Sequence, residues 1–143
     1  MVTNLSLSLL TPLSQLSSCL GSAPSPSSWS RLRVLSVAHC DLRRLGDSLQ
    51  WTPGLARLDC SHNKMADTAG LELLSQLTHL NISYNRLDEV PTLHPDTPLS
   101  LLLLSYNNIE QLGPLSHLQH LVQSAWHWLV SWCYITLLRS TLI

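Results

Sequence analysis

The chain has 143 residues, a formal net charge of −1 and only 12% charged residues. That length allows one domain with a continuous core, and the charge offers no basic field for nucleic acid or anionic lipid. The four cysteines, Cys19, Cys40, Cys60 and Cys133, contain no C-x-x-C pair and no cluster, so neither a zinc site nor a disulfide framework is expected and the compartment reads as reducing.

Residues 1–21 begin MVTNLSLSLL. There is no basic n-region, and serines break the apolar run, so a signal peptide is not expected. The sequons at Asn4 and Asn81 are therefore expected to go unused. Leu9, Leu10, Leu13, Leu16 and Leu20 recur at spacings suited to a short amphipathic helix. Pro12 fits its first turn and Gly21 ends it. Residues 22–31 follow as a Ser- and Pro-rich loop. Helix and loop together read as the returning half of a repeat whose strand was lost upstream, with a freestanding leader as the alternative.

From Leu32 a different spacing takes over and defines residues 32–121. Leu77, Leu80, Ile82, Asn85, Leu87 and Val90 fit L-x-x-L-x-L-x-x-N-x-L. Leu32, Leu35, Val37, Cys40, Leu42 and Leu45 occupy the same slots, as do Leu55, Leu58, Cys60, Asn63 and Met65. Leu99, Leu102, Leu104, Asn107, Ile109 and Leu112 follow downstream. The units start at residues 32, 55, 77 and 99, so the periods are 23, 22 and 22. Leu80 and Ile82 lie two apart and so point to one side of a short strand. The closing slot holds Asn63, Asn85 and Asn107, with Cys40 as the permitted replacement. There the chain bends sharply, and an Asn amide is expected to bond backbone groups left unpaired in the interior. Parallel strands are predicted near residues 34–38, 57–61, 79–83 and 101–105. One unit cannot bury its own apolar face, so the recurrence implies stacking of neighbours.

The returning segments differ. ADTAGLELLSQL, after Met65, predicts a helix capped by Asp67 or Thr68. PTLHPDTP, after Val90, holds three prolines and must return in extended or turn-like form. GPLSHLQHL, after Leu112, has room for one helical turn.

Outward strand positions form columns across the sheet. One is Val34, Arg57, His79 and Leu101, and the next is Ser36, Asp59, Asn81 and Leu103. A third is Ala38, Ser61, Ser83 and Ser105, and beside the Asn slot run His39, His62, Tyr84 and Tyr106. Inward residues are committed to the core, so these face a partner or solvent. Arg57, His79, Tyr84, Leu101, Leu103 and Tyr106 are the candidate partner-binding set, because aromatics and Arg anchor interfaces.

The pattern fails at Leu121. Leu118 and Leu121 begin a fifth unit, but Gln123 and Trp126 fill the next slots. Residues 122–143, with Trp126, Trp128 and Trp132, have no period and read as foreign to the repeats, covering an open end without sealing it. Val122 to Leu138 would make a helix of roughly 25 Å, short of a bilayer core of about 30 Å. A membrane-attached form through this tail, or a truncated product without binding function, is the alternative to a soluble binding module.

Ser61, His62 and Asp59 lie close in sequence, but strand neighbours point to opposite faces, so no nucleophile–base pair is expected. No P-loop, G-x-S-x-G or G-x-G-x-x-G appears. Neither enzymatic activity nor a cofactor, metal or small-molecule substrate is expected.

The repeat signature resembles that of the leucine-rich repeat superfamily. Within it, NISYNRLDEVP (Asn81–Pro91), the preceding CSHNKM, the return TLHPDTP and the leader SLSLLTPLSQLSSCLG resemble the repeat region of a serine/threonine-kinase-interacting family. The resemblance spans Leu5 to Leu121. Phosphatase-regulating and nischarin-like leucine-rich repeat proteins fit the repeats nearly as well. The resemblance implies an α/β leucine-rich repeat solenoid, with parallel strands on the concave face and helical or irregular returns on the convex one. It further implies a cytoplasmic scaffold whose protein partner is a serine/threonine kinase.

Overall fold

A computed structural model describes residues 3–6 and 29–109. Its strands are β1 (Asn4–Ser6), β2 (Val34–Ser36), β3 (Arg57–Asp59), β4 (His79–Asn81) and β5 (Leu101–Leu103). They form one sheet in the order β1-β2-β3-β4-β5, and every neighbouring pair is parallel. Parallel neighbours cannot be joined by a tight turn, so each pair needs a returning segment. Among the described residues the returns carry little helix: a 3-10 segment at Gly46–Trp51 and a single 3-10 turn at Leu71–Leu73. The architecture is a small parallel sheet compatible with the α/β class.

The register sets like residue beside like. Leu35, Leu58, Leu80 and Leu102 align across β2 to β5. The first three are buried, while Leu102, on the last described strand, is partly buried. Val37, Cys60 and Ile82 form a second buried row, and Leu49, Leu71, Leu74 and Leu93 close the core from the returns. Pairing continues beyond the strands through Val37 N–H to the Asp59 carbonyl (2.8 Å), Cys60 to Asn81 (2.8 Å) and Ile82 to Leu103 (2.9 Å). The predicted strands are present at the expected starts, each shortened to its first three residues, with the expected leucines turned inward.

Two expectations are corrected. The strand thought lost upstream of residues 1–21 lies within them: Asn4, Leu5 and Ser6 pair with Val34, Leu35 and Ser36. The helix expected after Met65 is only the Leu71–Leu73 turn. Leu71, Leu73, Leu74 and Leu77 donate to Thr68, Gly70, Leu71 and Leu74, so the return is a chain of three-residue turns. Asp67 accepts from the Ala69 N–H, and the residue preceding the 3-10 turn is Gly70, in the left-handed region. A left-handed residue cannot continue a right-handed helix. The proline-rich return has no regular element, as expected, and is tied in by Thr97 Oγ1, which donates to the Leu74 carbonyl at 3.2 Å.

The helix expected over Leu9 to Leu20, loop residues 22–28, the GPLSHLQHL return, the fifth unit at Leu118 and Leu121 and the tail 122–143 lie outside the described residues.

Gly70 yields a sharp test of the return. Its φ is +102°, and a Cβ there would sit 2.8 Å from the Gly46 carbonyl oxygen. Gly70→Ala is expected to cost about 1–3 kcal/mol. Gly46→Ala is expected to cost less, since at φ +63° its Cβ would meet nothing within 4 Å. Urea-unfolding midpoints of the two variants check the order.

Candidate functional site

The frame of the site is set where the strands end. His39, His62, Tyr84 and Tyr106 all have φ between 55° and 59°, a region that costs a non-glycine residue about 1–2 kcal/mol. The residue after each is Cys40, Asn63, Asn85 or Asn107, and the asparagines hold the turns together. Asn63 Oδ1 accepts from the Cys40 and Leu42 N–H groups at 3.0 and 2.9 Å. Its Nδ2 donates to the carbonyls of Val37, Cys60 and Ser61. Asn85 accepts from Met65 N–H and donates to Cys60, Ile82 and Ser83. Asn107 accepts from Leu87 N–H and donates to Ile82 and Leu104. Each amide therefore bonds its own turn and the neighbouring one, which offsets the strained conformation. Cys40 and Cys60 are buried thiols.

The sheet face opposite the core carries the candidate residues. Arg57, His79 and Leu101 stand in register on β3, β4 and β5, and Asp59, Asn81 and Leu103 form the next column. Asp59 and Asn81 each use Oδ1 to accept the N–H two residues on, from Ser61 and Ser83. Ser61 and Ser83 are themselves buried, so the column expected to face outward there does not. Thr78 Oγ1 donates to the Ala56 carbonyl, so the 2.9 Å contact with His79 Nδ1 has the imidazole as donor. In the neutral imidazole this leaves Nε2 as an acceptor. Arg57 is exposed, Leu101 is 42% exposed and Leu103 40%.

Beside this face stands a stack of rings that the sequence pattern placed in a column but did not show to be in contact. His39–His62, His62–Tyr84 and Tyr84–Tyr106 lie 4.2, 4.1 and 4.2 Å apart between centroids, tilted by 12°, 11° and 13°. The aromatic residue at positions 39, 62, 84 and 106 was the signal available in the sequence. One residue beyond the Asn slot, Lys64 pairs with Asp41 at 2.7 Å, a bond between units that sequence reading missed.

The neighbouring Tyr106 side chain raises the Tyr84 phenol above its ordinary pKa, and loss of hydration adds to this. A folded-state value above the unfolded one favours the neutral phenol. That stabilisation is full below the unfolded pKa and is lost as pH rises through the folded one. In a Tyr134→Phe background, Tyr106→Phe is expected to lower the pH at which Tyr84 ionises, read from phenolate absorbance.

The structure thus sets Arg57, His79, Leu101 and Leu103 on one face of the sheet and Tyr84 and Tyr106 in the ring stack past the strand ends, which His39 and His62 continue. His62 is held in the ring stack while Ser61 is buried. Among the described residues, no three His, Cys, Asp or Glu side chains gather as a metal site, and no helix is long and apolar enough to cross a membrane. No protein-family model, curated protein or solved structure matches this chain.

Proposed function

We propose that the chain is a leucine-rich repeat solenoid that works as a protein-binding scaffold, without catalytic activity of its own. Its repeat pattern and the recurring asparagine bonds at Asn63, Asn85 and Asn107 support the solenoid reading. One observation carries the binding reading. Of the five exposed large hydrophobic residues described, four (Tyr84, Leu101, Leu103 and Tyr106) gather on and beside β4 and β5, and only Leu73 lies elsewhere. Apolar residues gathered on a surface, with Arg57 and His79 in register beside them, suit a protein interface.

The partner proposed is a serine/threonine kinase in the cytoplasm. The motif resemblance supports both the kinase and the compartment. Pull-down with the full chain, compared with a double variant of Arg57→Glu and Tyr106→Ala, tests the reading. Kinase recovery is expected with the parent chain and is expected to drop with the double variant. Equal recovery moves the binding face elsewhere, and recovery without any kinase removes the kinase partner.

A further inference from the structure

The protein-binding reading leaves the chemistry of the partner open, and the face itself narrows it. Resting on that reading, we propose that the element docking here is an amphipathic helix laid across the strands. An acidic side chain sits over Arg57 and apolar side chains sit over Leu101 and Leu103.

Arg57 is exposed on β3, and among the described residues its guanidinium makes neither an ion pair nor a hydrogen bond. The nearest acid on its own strand, Asp59, has one carboxylate oxygen committed to the Ser61 N–H. An exposed guanidinium, with its donors along the edges of the plane, suits a carboxylate, which it can grip through paired hydrogen bonds. Two strands along the same column stands Leu101, with Leu103 on the same strand and Tyr106 at 63% exposure.

Spacing selects the helix. Arg57, His79 and Leu101 are in register on three successive strands, so Arg57 and Leu101 are two strand spacings apart, about 10 Å. Seven residues of α-helix advance about 10 Å, and positions i and i+7 share a face. Midway, His79 offers Nε2 as an acceptor, which suits an uncharged donor at i+3 or i+4. An extended segment gains less on this face. β3 and β4 already have neighbours on both sides, so a strand laid over them finds no backbone partners. Nucleic acid is disfavoured because, in the two described columns of this face, Arg57 is the one Arg or Lys and the acid of Asp59 stands beside it.

The test screens the full chain against a displayed library of helical peptides randomised at i, i+3, i+4 and i+7. Enrichment of Asp or Glu at i with a large apolar residue at i+7 is expected. For an enriched peptide, Arg57→Glu is expected to weaken binding about tenfold, and Lys at position i to restore it. A matched thermal melt of the exposed-site variant shows that it still folds. Binders without an acid, insensitive to Arg57→Glu but lost on Leu101→Ala, overturn the acidic helix and leave the binding face standing. Binders indifferent to Arg57, Leu101 and Tyr106 alike, or an absence of enrichment, overturn both.

Discussion

Asn63→Ala is expected to destabilise the protein by about 3–5 kcal/mol, Asn85→Ala by nearly as much, and the adjacent Arg86→Ala by less than about 0.5 kcal/mol. The order follows from the bonds each amide makes. Asn63 accepts two backbone N–H groups and is shared among three carbonyls, all buried. Asn85 accepts one N–H and serves three carbonyls. An alanine leaves buried groups without a partner, each costing about 1–3 kcal/mol. The loss is compounded by location, since each amide stabilises a turn whose preceding residue, His62 or Tyr84, sits at positive φ. Asn107, half-buried with three such bonds, is expected to cost least of the three. Urea-unfolding midpoints at matched slope check the series. Coincident midpoints for Asn85→Ala and Arg86→Ala would show that the amides do not hold the turns.

Leu80→Ala is the second large effect, expected at about 2–5 kcal/mol for a fully buried leucine. Leu80 is 1% exposed at the centre of the aligned leucine row. Leu101→Ala, one strand over and on the opposite face, is expected to leave the melting temperature within about 2–4 °C. Its cost should appear instead in partner binding. If thermal melts placed the two variants together, the inward and outward assignment of the sheet would be wrong. Neither variant alters charge, so the contrast isolates burial.

Much of this was legible in the chain. The alternation of Leu80 and Ile82 with outward residues names the buried side, because side chains on a strand alternate with period two. Near-constant spacing of the units then predicts the register, and Arg57, His79 and Leu101 do align. The bonding role of the asparagines was also readable, since a sharp bend with buried backbone needs a side chain that both donates and accepts.

The tertiary structure decided the rest. Whether the leucines after Met65 make an α-helix or tight turns is settled by the path back to β4, and Gly70 in the left-handed region breaks the helical route. The burial of Ser61 and Ser83 and the stacking of four rings depend on how closely neighbouring turns approach, a distance no single unit encodes. The strand at Asn4–Ser6 is recognised by its partner, β2, because three residues have no periodicity long enough to read. Local pattern determined which residues face inward and which slot closes each turn. Contacts between units determined which outward residues remain exposed.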